Sequence, residues 1–357
     1  MMINKILKED LDYICDNFAE YEEFRAKTFL VTGATGLVGS VFVKALLTLE
    51  EKYDLGVKIV LTVRDEARAK AVFSDMENSE SVITYVVADM MDEDLNAKID
   101  NCYGGNIDYI LHAASITASK QMVDTPVDTL MIAVRGTESM LKKAIAKKAK
   151  MVYLSSMEMY GTVDKERVDE TDLGYIDLSN VRNSYPEGKR MCECLCNCYA
   201  SQYDVDVCSA RLAQTFGPGI PKTDNRVFAQ FAKSAMNKED IVMHTKGLAE
   251  RNYCYIRDAV EALFVLLLRG EKGQAYNVVN EACHTTVIDM ANMVCREFAN
   301  DEIKVVFDIP ESLSVYGYPP DVKLFLSSKK LEDLGWKPCI DLKDSYGRLI
   351  QYLAEED

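Results

Sequence analysis

Residues 28–39 read TFLVTGATGLVG, an apolar run of strand-like composition followed at once by a glycine-rich turn. Apolar residues beyond the turn continue to about Leu49, so the segment predicts a strand, a turn and a helix. Gly33, Gly36 and Gly39 suit a turn that must be tight and must let a pyrophosphate approach the backbone. The helix N-terminus offers its free N–H groups to the phosphates. This unit predicts a dinucleotide-binding site.

Five further apolar runs, separated mostly by segments of helical character, predict the other strands of the same sheet. They are 57–63 (VKIVLTV), 82–88 (VITYVVA), 107–113 (IDYILHA), 151–156 (MVYLSS) and 205–212 (VDVCSARL). Such runs are typical of strands that are buried on both faces. We therefore predict an α/β fold built on a doubly wound parallel sheet.

The chain divides into three parts by pattern. Residues 1–26 predict an amphipathic helical extension, and residues 27–216 the dinucleotide-binding domain. After the turn-rich FGPGIP at 216–221, helices and short strands mix, including a strand at 275–279 (AYNVV). Residues 217–357 are therefore expected to form mainly a smaller mixed α/β lobe for the substrate. It would lie over the carboxyl ends of the strands, where such sheets bind ligands.

Composition excludes several classes of function. The 357 residues carry 41 basic and 57 acidic side chains, a net charge of −16, so neither nucleic acid nor an anionic membrane is expected as a partner. No apolar run approaches the ~18 residues of a membrane-spanning helix. Eleven cysteines, an odd number without a secretory signal, indicate reduced thiols and a cytoplasmic location.

Four of these cysteines, Cys192, Cys194, Cys196 and Cys198, alternate along a predicted helix. Successive members point ~200° apart, so packed thiols are expected rather than a metal site.

The second predicted strand ends in Val63-Arg64, where an acidic side chain would grip the ribose hydroxyls of NAD. Arg64 could instead pair with a 2′-phosphate, which favours NADP, or be a solvated residue at a strand end. The choice between NAD and NADP therefore stays open. Asp89, which follows the third run, is expected to contact the adenine or to cap its own loop.

Tyr185 and Lys189 are the candidate catalytic pair. They are spaced i, i+4 in SYPEGKR at the start of a predicted helix, so both side chains lie on one face. A neighbouring lysine stabilises a phenolate and is expected to lower the tyrosine pKa from its usual value of about 10. The phenolate could then remove the proton of a sugar hydroxyl. Ser155 and Ser156, at the end of the fifth run, could hydrogen-bond the same oxygen.

Taken together, the motifs resemble the extended short-chain dehydrogenases/reductases, the NAD-dependent epimerases and dehydratases that modify nucleotide sugars. The resemblance covers roughly residues 27–340 and rests on TGATGLVG, HAAS, LSSMEMYG, YPEGK and ARLAQTFGPG, in this order. SYPEGKRMCE, TDNRVFAQF and ERNYCYIRDAVEAL are most similar to the UDP-glucuronate decarboxylases of this family. The resemblance implies a Rossmann sheet, bound NAD, oxidation of a nucleotide sugar at C4, and a homodimer formed through residues 126–147 and 185–203.

The resemblance also implies roles for individual residues. The catalytic residues would be Ser156, Glu158, Tyr185 and Lys189, with Glu158 matching a glutamate that decarboxylases and 4,6-dehydratases carry. The cofactor would contact Gly33, Thr35, Gly36, Leu37, Gly39, Arg64, Asp89, Met90, Ala113, Ala114, Tyr185 and Lys189. The substrate would contact Gln214 at the sugar-phosphate, Arg226 and Arg251 at its anionic groups, and His244 at the base.

Three departures from the family pattern bear on the reaction. Met157 occupies the place of the aspartate with which 4,6-dehydratases protonate the leaving hydroxyl, so dehydration is disfavoured. Ala133 replaces a usual asparagine. Lys323, Leu324 and Leu326 stand where an arginine-rich segment is expected, which weakens the predicted contacts to the nucleotide.

Several functions stay open at this level. Decarboxylation of UDP-glucuronate is favoured modestly over 4-epimerisation, because an epimerase needs no carboxylate at Glu158. Arg64 supports another hypothesis, a net NADPH-dependent reductase of a keto-sugar. A non-catalytic dinucleotide sensor is disfavoured because Ser156, Tyr185 and Lys189 are all present.

Overall fold

The computed structural model describes residues 3–309 and 322–355. The strands are β1 Thr28–Thr32, β2 Lys58–Val63, β3 Ile83–Val87, β4 Tyr109–His112, β5 Lys150–Ser156, β6 Val207–Leu212, β7 Gln214–Phe216, β8 Ile241–Met243, β9 Glu250–Tyr255, β10 Ala275–Val278, β11 Asn280–Thr286 and β12 Val305–Phe307. Each of the six predicted strands is confirmed to within two residues.

The helices connect and cover these strands. They are α1 Lys5–Asn17, α2 Leu37–Tyr53, α3 Glu66–Phe73, α4 Ser79–Val82, α5 Leu95–Cys102, α6 Ser119–Asp124, α7 Pro126–Lys147, α8 Ser184–Tyr203, α9 Val227–Asn237, α10 Ile256–Arg269, α11 Val287–Ala299, α12 Lys329–Glu332 and α13 Leu342–Glu355. Within the described ranges, none of them is both long and apolar enough to cross a membrane.

The large sheet has seven strands in the order β10-β6-β5-β4-β1-β2-β3, and every neighbouring pair is parallel. Its two faces bury separate cores. Phe29 and Val31 of β1 point into a core shared with α2 and α10, whereas Leu30 points into one shared with α5, α7 and α8. Side chains alternate in this way because successive residues of a strand face opposite sides. The doubly wound parallel sheet is confirmed.

The carboxyl end of this sheet lies beside two smaller sheets. One has the order β11-β9-β7 and the other pairs β12 with β8. Strand β10, predicted from AYNVV as part of the lobe, instead joins the large sheet beside β6. Helix α10 likewise packs against α2. The reason is that a short apolar run predicts a strand but not its partner.

The N-terminal extension is shorter as a helix than residues 1–26 predict. Helix α1 begins after Asn4, whose side chain accepts hydrogen bonds from the N–H groups of Ile6 and Leu7, and it ends at Asn17. A single 3₁₀ turn, Tyr21–Phe24, leads into β1. The helix packs against α2, α10 and α13, so the extension forms part of the main core.

Candidate active site

The glycine-rich turn is built for close backbone contact. Gly33 has φ +65°, and a Cβ there would lie 2.6 Å from the carbonyl carbon of Ala113, while a Cβ at Gly39 would collide with the carbonyl oxygen of Gly33. Gly36 precedes α2 and provides no side-chain cap, so the first N–H groups of the helix have no side-chain acceptor there. Thr35 and Leu37 stand half-exposed beside them. This cradle fits a pyrophosphate.

The adjacent strand end is held by a polar contact beneath the turn. The hydroxyl oxygen of Thr32 accepts hydrogen bonds from the N–H groups of Ala113 and Ala114, each at 3.1 Å, and lies 2.7 Å from Nδ1 of His112. Burial, together with the charge of Lys189, lowers the pKa of His112 to about 3. This environment favours a neutral His112 that packs beneath the turn.

The two polar residues predicted for the adenosine end differ in their surroundings. Val63 is buried, whereas Arg64 is exposed and has neither a hydrogen bond nor an ion pair with any residue that the structure describes. The side chain of Asp89 accepts a hydrogen bond from the N–H of Met91 at 2.9 Å. Asp89 therefore caps its own loop, and its contact with an adenine stays a prediction. Met90 is buried.

The predicted catalytic pair lies where β5 and α8 meet. Tyr185 is in the first turn of α8, and Lys189 follows one turn later with 4% of its surface exposed. The ammonium of Lys189 donates a hydrogen bond to the carbonyl oxygen of Leu154 at 2.7 Å and lies 5.6 Å from the centre of the Tyr185 ring. Burial lowers the pKa of Lys189 to about 8.

The hydroxyl of Tyr185 does not have the lowered pKa that the sequence predicts. Burial and, to a smaller extent, the negative charge of Glu158 raise this pKa to about 12, against the lowering effects of Ser156 and Arg182. The expectation was wrong because loss of hydration outweighs the nearby positive charge. A cationic group bound beside the hydroxyl would act in the opposite direction.

Arg182 is the site residue that the sequence did not reveal. Both terminal nitrogens of its guanidinium bond to the carboxylate of Glu158, Nη2 at 3.1 Å from Oε1. Arg182 is 6% exposed and stands three residues before Tyr185, while Glu158 follows Ser156 in a 3₁₀ turn and donates its N–H to that hydroxyl at 3.3 Å. The position of Arg182, one helical turn before Tyr185, is the feature of the sequence that could have indicated it.

Two of the predicted substrate residues share the three-stranded sheet. Gln214 begins β7 opposite Tyr253 of β9, and Arg251 lies on β9 opposite Thr285 of β11. Arg251 is half-buried and forms no hydrogen bond or ion pair within residues 3–309 and 322–355. Its contact with a substrate anion stays a prediction.

The other two predicted substrate residues already have partners. The guanidinium of Arg226 pairs with both carboxylate oxygens of Asp224 and lies 4.7 Å from the centre of the Phe228 ring. Nδ1 of His244, just after β8, lies 2.8 Å from the carbonyl oxygen of Asp308. Their contacts with a substrate stay predictions.

The departures from the family pattern have structural counterparts. Lys323 is exposed and pairs with Glu250 at 2.9 Å, whereas Leu324 and Leu326 are buried in the core. Ala133 is buried where α7 packs against α8, facing Gly188. These positions therefore contribute packing and a surface ion pair.

Two groups of side chains have metal-ligand chemistry. Cys192 and Cys196 are buried and Cys194 and Cys198 are exposed, so the four thiols do not converge on one point. Ligand atoms of a second group, Asp258, Glu261 and Cys339, lie within 4.8 Å of one another. The Asp258 carboxylate already accepts hydrogen bonds from the N–H groups of Cys339 and Ile340 at 2.9 and 3.1 Å. The Arg257 guanidinium lies 2.9 Å from the sulfur of Cys339. This second group anchors the chain before α13 onto α10.

Comparison with known proteins places this site in a family. The model of the NAD dependent epimerase/dehydratase family matches residues 29–280. The chain belongs to this family. Its membership confirms the resemblance to the extended short-chain dehydrogenases/reductases and the prediction of an NAD-dependent enzyme.

Curated relatives of this family member include decarboxylases. UDP-glucuronic acid decarboxylase 6 of Arabidopsis thaliana is 31% identical over 252 residues, which cover 70% of this chain and 69% of that protein. UDP-glucuronic acid decarboxylase 1 of Xenopus tropicalis is 28% identical over 70% of this chain, and the match spans only 58% of the frog protein.

Solved structures show the same fold at low identity. The epimerase Mth375 of Methanothermobacter thermautotrophicus has a TM-score of 0.79 at 23% identity, with 96% of each chain covered. UDP-glucuronic acid 4-epimerase of Bacillus cereus, in complex with UDP-glucuronic acid and NAD, has a TM-score of 0.75 at 19% identity, over 92% of this chain and all of that one.

Proposed function

We propose that this epimerase/dehydratase family member oxidises a nucleotide sugar at C4, and that it decarboxylates UDP-glucuronate. The observation that carries the proposal is the position of Glu158, whose backbone N–H donates a hydrogen bond to the Ser156 hydroxyl and whose carboxylate is near enough to Tyr185 to raise the pKa of its hydroxyl. The decarboxylases at about 30% identity support the same choice.

The side chains suit removal of a proton from a sugar hydroxyl. Tyr185 would act as the general base once ionised, and the Ser156 hydroxyl would donate a hydrogen bond to the same sugar oxygen. When bound in the glycine-rich cradle, NAD supplies the hydride acceptor for the sugar carbon. Lys189, fixed by the carbonyl of Leu154, would hold the ribose next to Tyr185.

The carboxylate chemistry follows from the substrate. A ketone at C4 of a glucuronate is β to the C6 carboxylate, so the bond to CO₂ can break with its electrons passing into an enolate. The enolate would then take a proton at C5, and C4 would take back the hydride, so that the product differs from the substrate by CO₂ alone. Arg251, a half-buried cation without a partner among the described residues, is available for a substrate anion. Glu158, held by Arg182, would orient the ring.

A second candidate is 4-epimerisation of the same class of sugar. It uses the same first step and returns the hydride to the opposite face of the ketone, with no need for a further acid. Met157, which is buried immediately before Glu158, cannot donate a proton, and this alternative needs no such donor.

A third candidate, a net NADPH-dependent reductase, rests on Arg64, which is exposed and has no partner among the described residues. It would consume NADPH stoichiometrically.

One experiment separates the three. The dinucleotide released from denatured protein is identified by mass, and fresh enzyme is incubated with UDP-glucuronate while the nucleotide sugar is followed by mass spectrometry. We expect retained NAD and a product lighter by CO₂. A product of unchanged mass but new configuration would establish the epimerase, and an empty site that fills with NADPH would favour the reductase. Tyr185→Phe, which removes only the ionisable hydroxyl, is the matched control and should be inactive.

We further propose a homodimer in the cytoplasm. Helices α7 and α8 pack against each other, and apolar side chains stand exposed on both: Val127, Ile145, Met191 and Tyr203. All eleven cysteines are unpaired, in keeping with a reducing compartment. Sedimentation equilibrium tests the assembly, and a charge introduced as Met191→Glu should weaken it.

A further inference from the structure

The bond between Arg182 and Glu158 is a strong one by its geometry. Two guanidinium nitrogens face two carboxylate oxygens, and the side chains are 7% and 19% exposed. Charge-assisted bidentate pairs of this kind are stronger and better aligned than single hydrogen bonds. Because water is largely excluded, the charge of each partner acts on its neighbours with little screening.

The neighbour on which both charges act is Tyr185. Glu158 opposes ionisation of its hydroxyl, and Arg182 favours it. A phenolate at Tyr185 and a carboxylate at Glu158 would be two negative charges in one buried site. Like charges so placed do not both ionise readily unless a positive charge compensates them.

Among the other charged groups around Tyr185, none pairs with the carboxylate of Glu158 in the part of the chain that the structure describes. Lys189 lies 5.6 Å from the ring centre, and the Tyr153 hydroxyl on β5 carries no charge at working pH. Among the charged side chains of α7, which packs along α8, only Lys143 near its far end is buried. Lys120 and Asp124 of α6, which packs on the turn holding Arg182, are both exposed.

We propose that Arg182 is a positioning residue, whose guanidinium neutralises Glu158 so that this carboxylate and a Tyr185 phenolate can be charged at once. The inference rests on the proposed function in one respect, the use of Tyr185 as the base. Arg182 would touch neither sugar nor cofactor. It would keep a carboxylate in the site for orienting the sugar without blocking ionisation of the base.

The test is a direct titration of Tyr185 in the NAD-loaded protein. Tyrosine labelled with ¹³C at Cζ reports each hydroxyl by NMR, and the signal of Tyr185 is the one missing from Tyr185→Phe. Three forms are compared: wild type, Glu158→Gln, and Glu158→Gln with Arg182→Met. The glutamine leaves no buried carboxylate without a partner, so the double variant avoids the cost of an unpaired charge.

We expect Glu158→Gln to lower the Tyr185 midpoint by about one pH unit or more, because a like charge is lost and the guanidinium remains. Adding Arg182→Met should return the midpoint towards that of the wild type. In a Glu158→Gln background, Arg182→Lys keeps the positive charge and should leave the midpoint low. Arg135→Met, on an exposed arginine of α7 without a partner in the described chain, is the matched control and should change nothing.

Equal midpoints in the single and double variants would overturn the proposal, since Arg182 would then only hold the fold. The titration needs no sugar substrate. A failure to convert UDP-glucuronate would therefore refute the proposed reaction and leave this result standing, whereas turnover with unmoved midpoints would refute only the role of Arg182.

Discussion

The cradle for the dinucleotide and the region proposed for the sugar nucleotide are built in different ways. The cradle is made of backbone: Gly33 and Gly39 leave no room for a Cβ, and the helix that begins after Gly36 has no side-chain cap at Gly36. The sugar region is made of charged side chains. Arg226 is already paired with Asp224, Arg182 with Glu158, and Arg251 has no partner in the described chain. Backbone shape suits the pyrophosphate that NAD and NADP have in common, whereas side-chain charge can differ with the substrate.

The largest expected effect tests whether the cradle depends on shape alone. Gly33→Val places a branched side chain where even a Cβ would lie 2.6 Å from the backbone of Ala113, at a φ of +65°. We expect the affinity for NAD to fall by at least ~100-fold, because the turn must move and such backbone strain costs ~1–3 kcal/mol besides the steric clash. Isothermal titration measures the affinity. Ser74→Val, on an exposed residue away from the turn, is the control.

A smaller effect tests whether the sugar region depends on charge. Arg251→Met should raise the KM for the nucleotide sugar by ~10-fold or more, since a charge-assisted hydrogen bond is worth ~1.5–3 kcal/mol. Arg226→Met removes a guanidinium that Asp224 already engages and should raise the KM less. An equal rise in KM for the two substitutions would contradict the prediction that Arg251 contributes more to substrate binding than the paired Arg226.

The pH dependence of stability probes the layer beneath the cradle. Burial lowers the pKa of His112 from 6.5 to about 3, so the unfolded chain binds a proton in this window that the folded protein does not. Stability should therefore fall as the pH drops below 6.5. This group alone should remove about 2 kcal/mol on going from pH 7 to pH 5. Urea unfolding of the wild type and of His112→Gln at pH 7 and pH 5 measures the contribution of this histidine to the free energy of unfolding. Equal losses of stability in the two proteins would contradict the prediction.

The smallest effect concerns the adenosine end of the cradle. Arg64 is exposed and has no partner in the described ranges, so Arg64→Ala should change the affinity for NAD by less than ~3-fold. Its affinity for NADP is measured alongside. A tenfold loss of affinity for NADP alone, ~1.4 kcal/mol, would show that this arginine recognises a 2′-phosphate and would favour the reductase hypothesis.

Several elements follow from local sequence because their causes are local. The run TFLVT is apolar throughout and is buried throughout as β1, and the glycines after it permit the backbone of the turn. Tyr185 and Lys189 lie on one face of α8 because helical geometry brings residues i and i+4 together. The family resemblance rests on these same local motifs.

Other features depend on contacts between segments far apart in the chain. Strand β10 joins the large sheet only because β6 leaves an edge open to it. Arg182 meets Glu158 across 24 positions of sequence, and neither side chain alone indicates the pair. The burial that raises rather than lowers the Tyr185 pKa likewise arises from packing around α8.

Local rules of sterics and periodicity account for the strand–turn–helix cradle, the parallel sheet and the position of Tyr185 and Lys189 on one helix face, since each depends on a few neighbouring residues. Which arginines are paired, and which have no partner among the described residues, follows instead from the folded arrangement of the chain. The reason is physical: a charge acts through space, and its effect depends on the distance and the hydration of partners that the fold brings together. Three arginines that look alike in the sequence therefore lie in different environments: Arg182 is paired with Glu158, Arg226 is paired with Asp224, and Arg251 has no partner among the described residues.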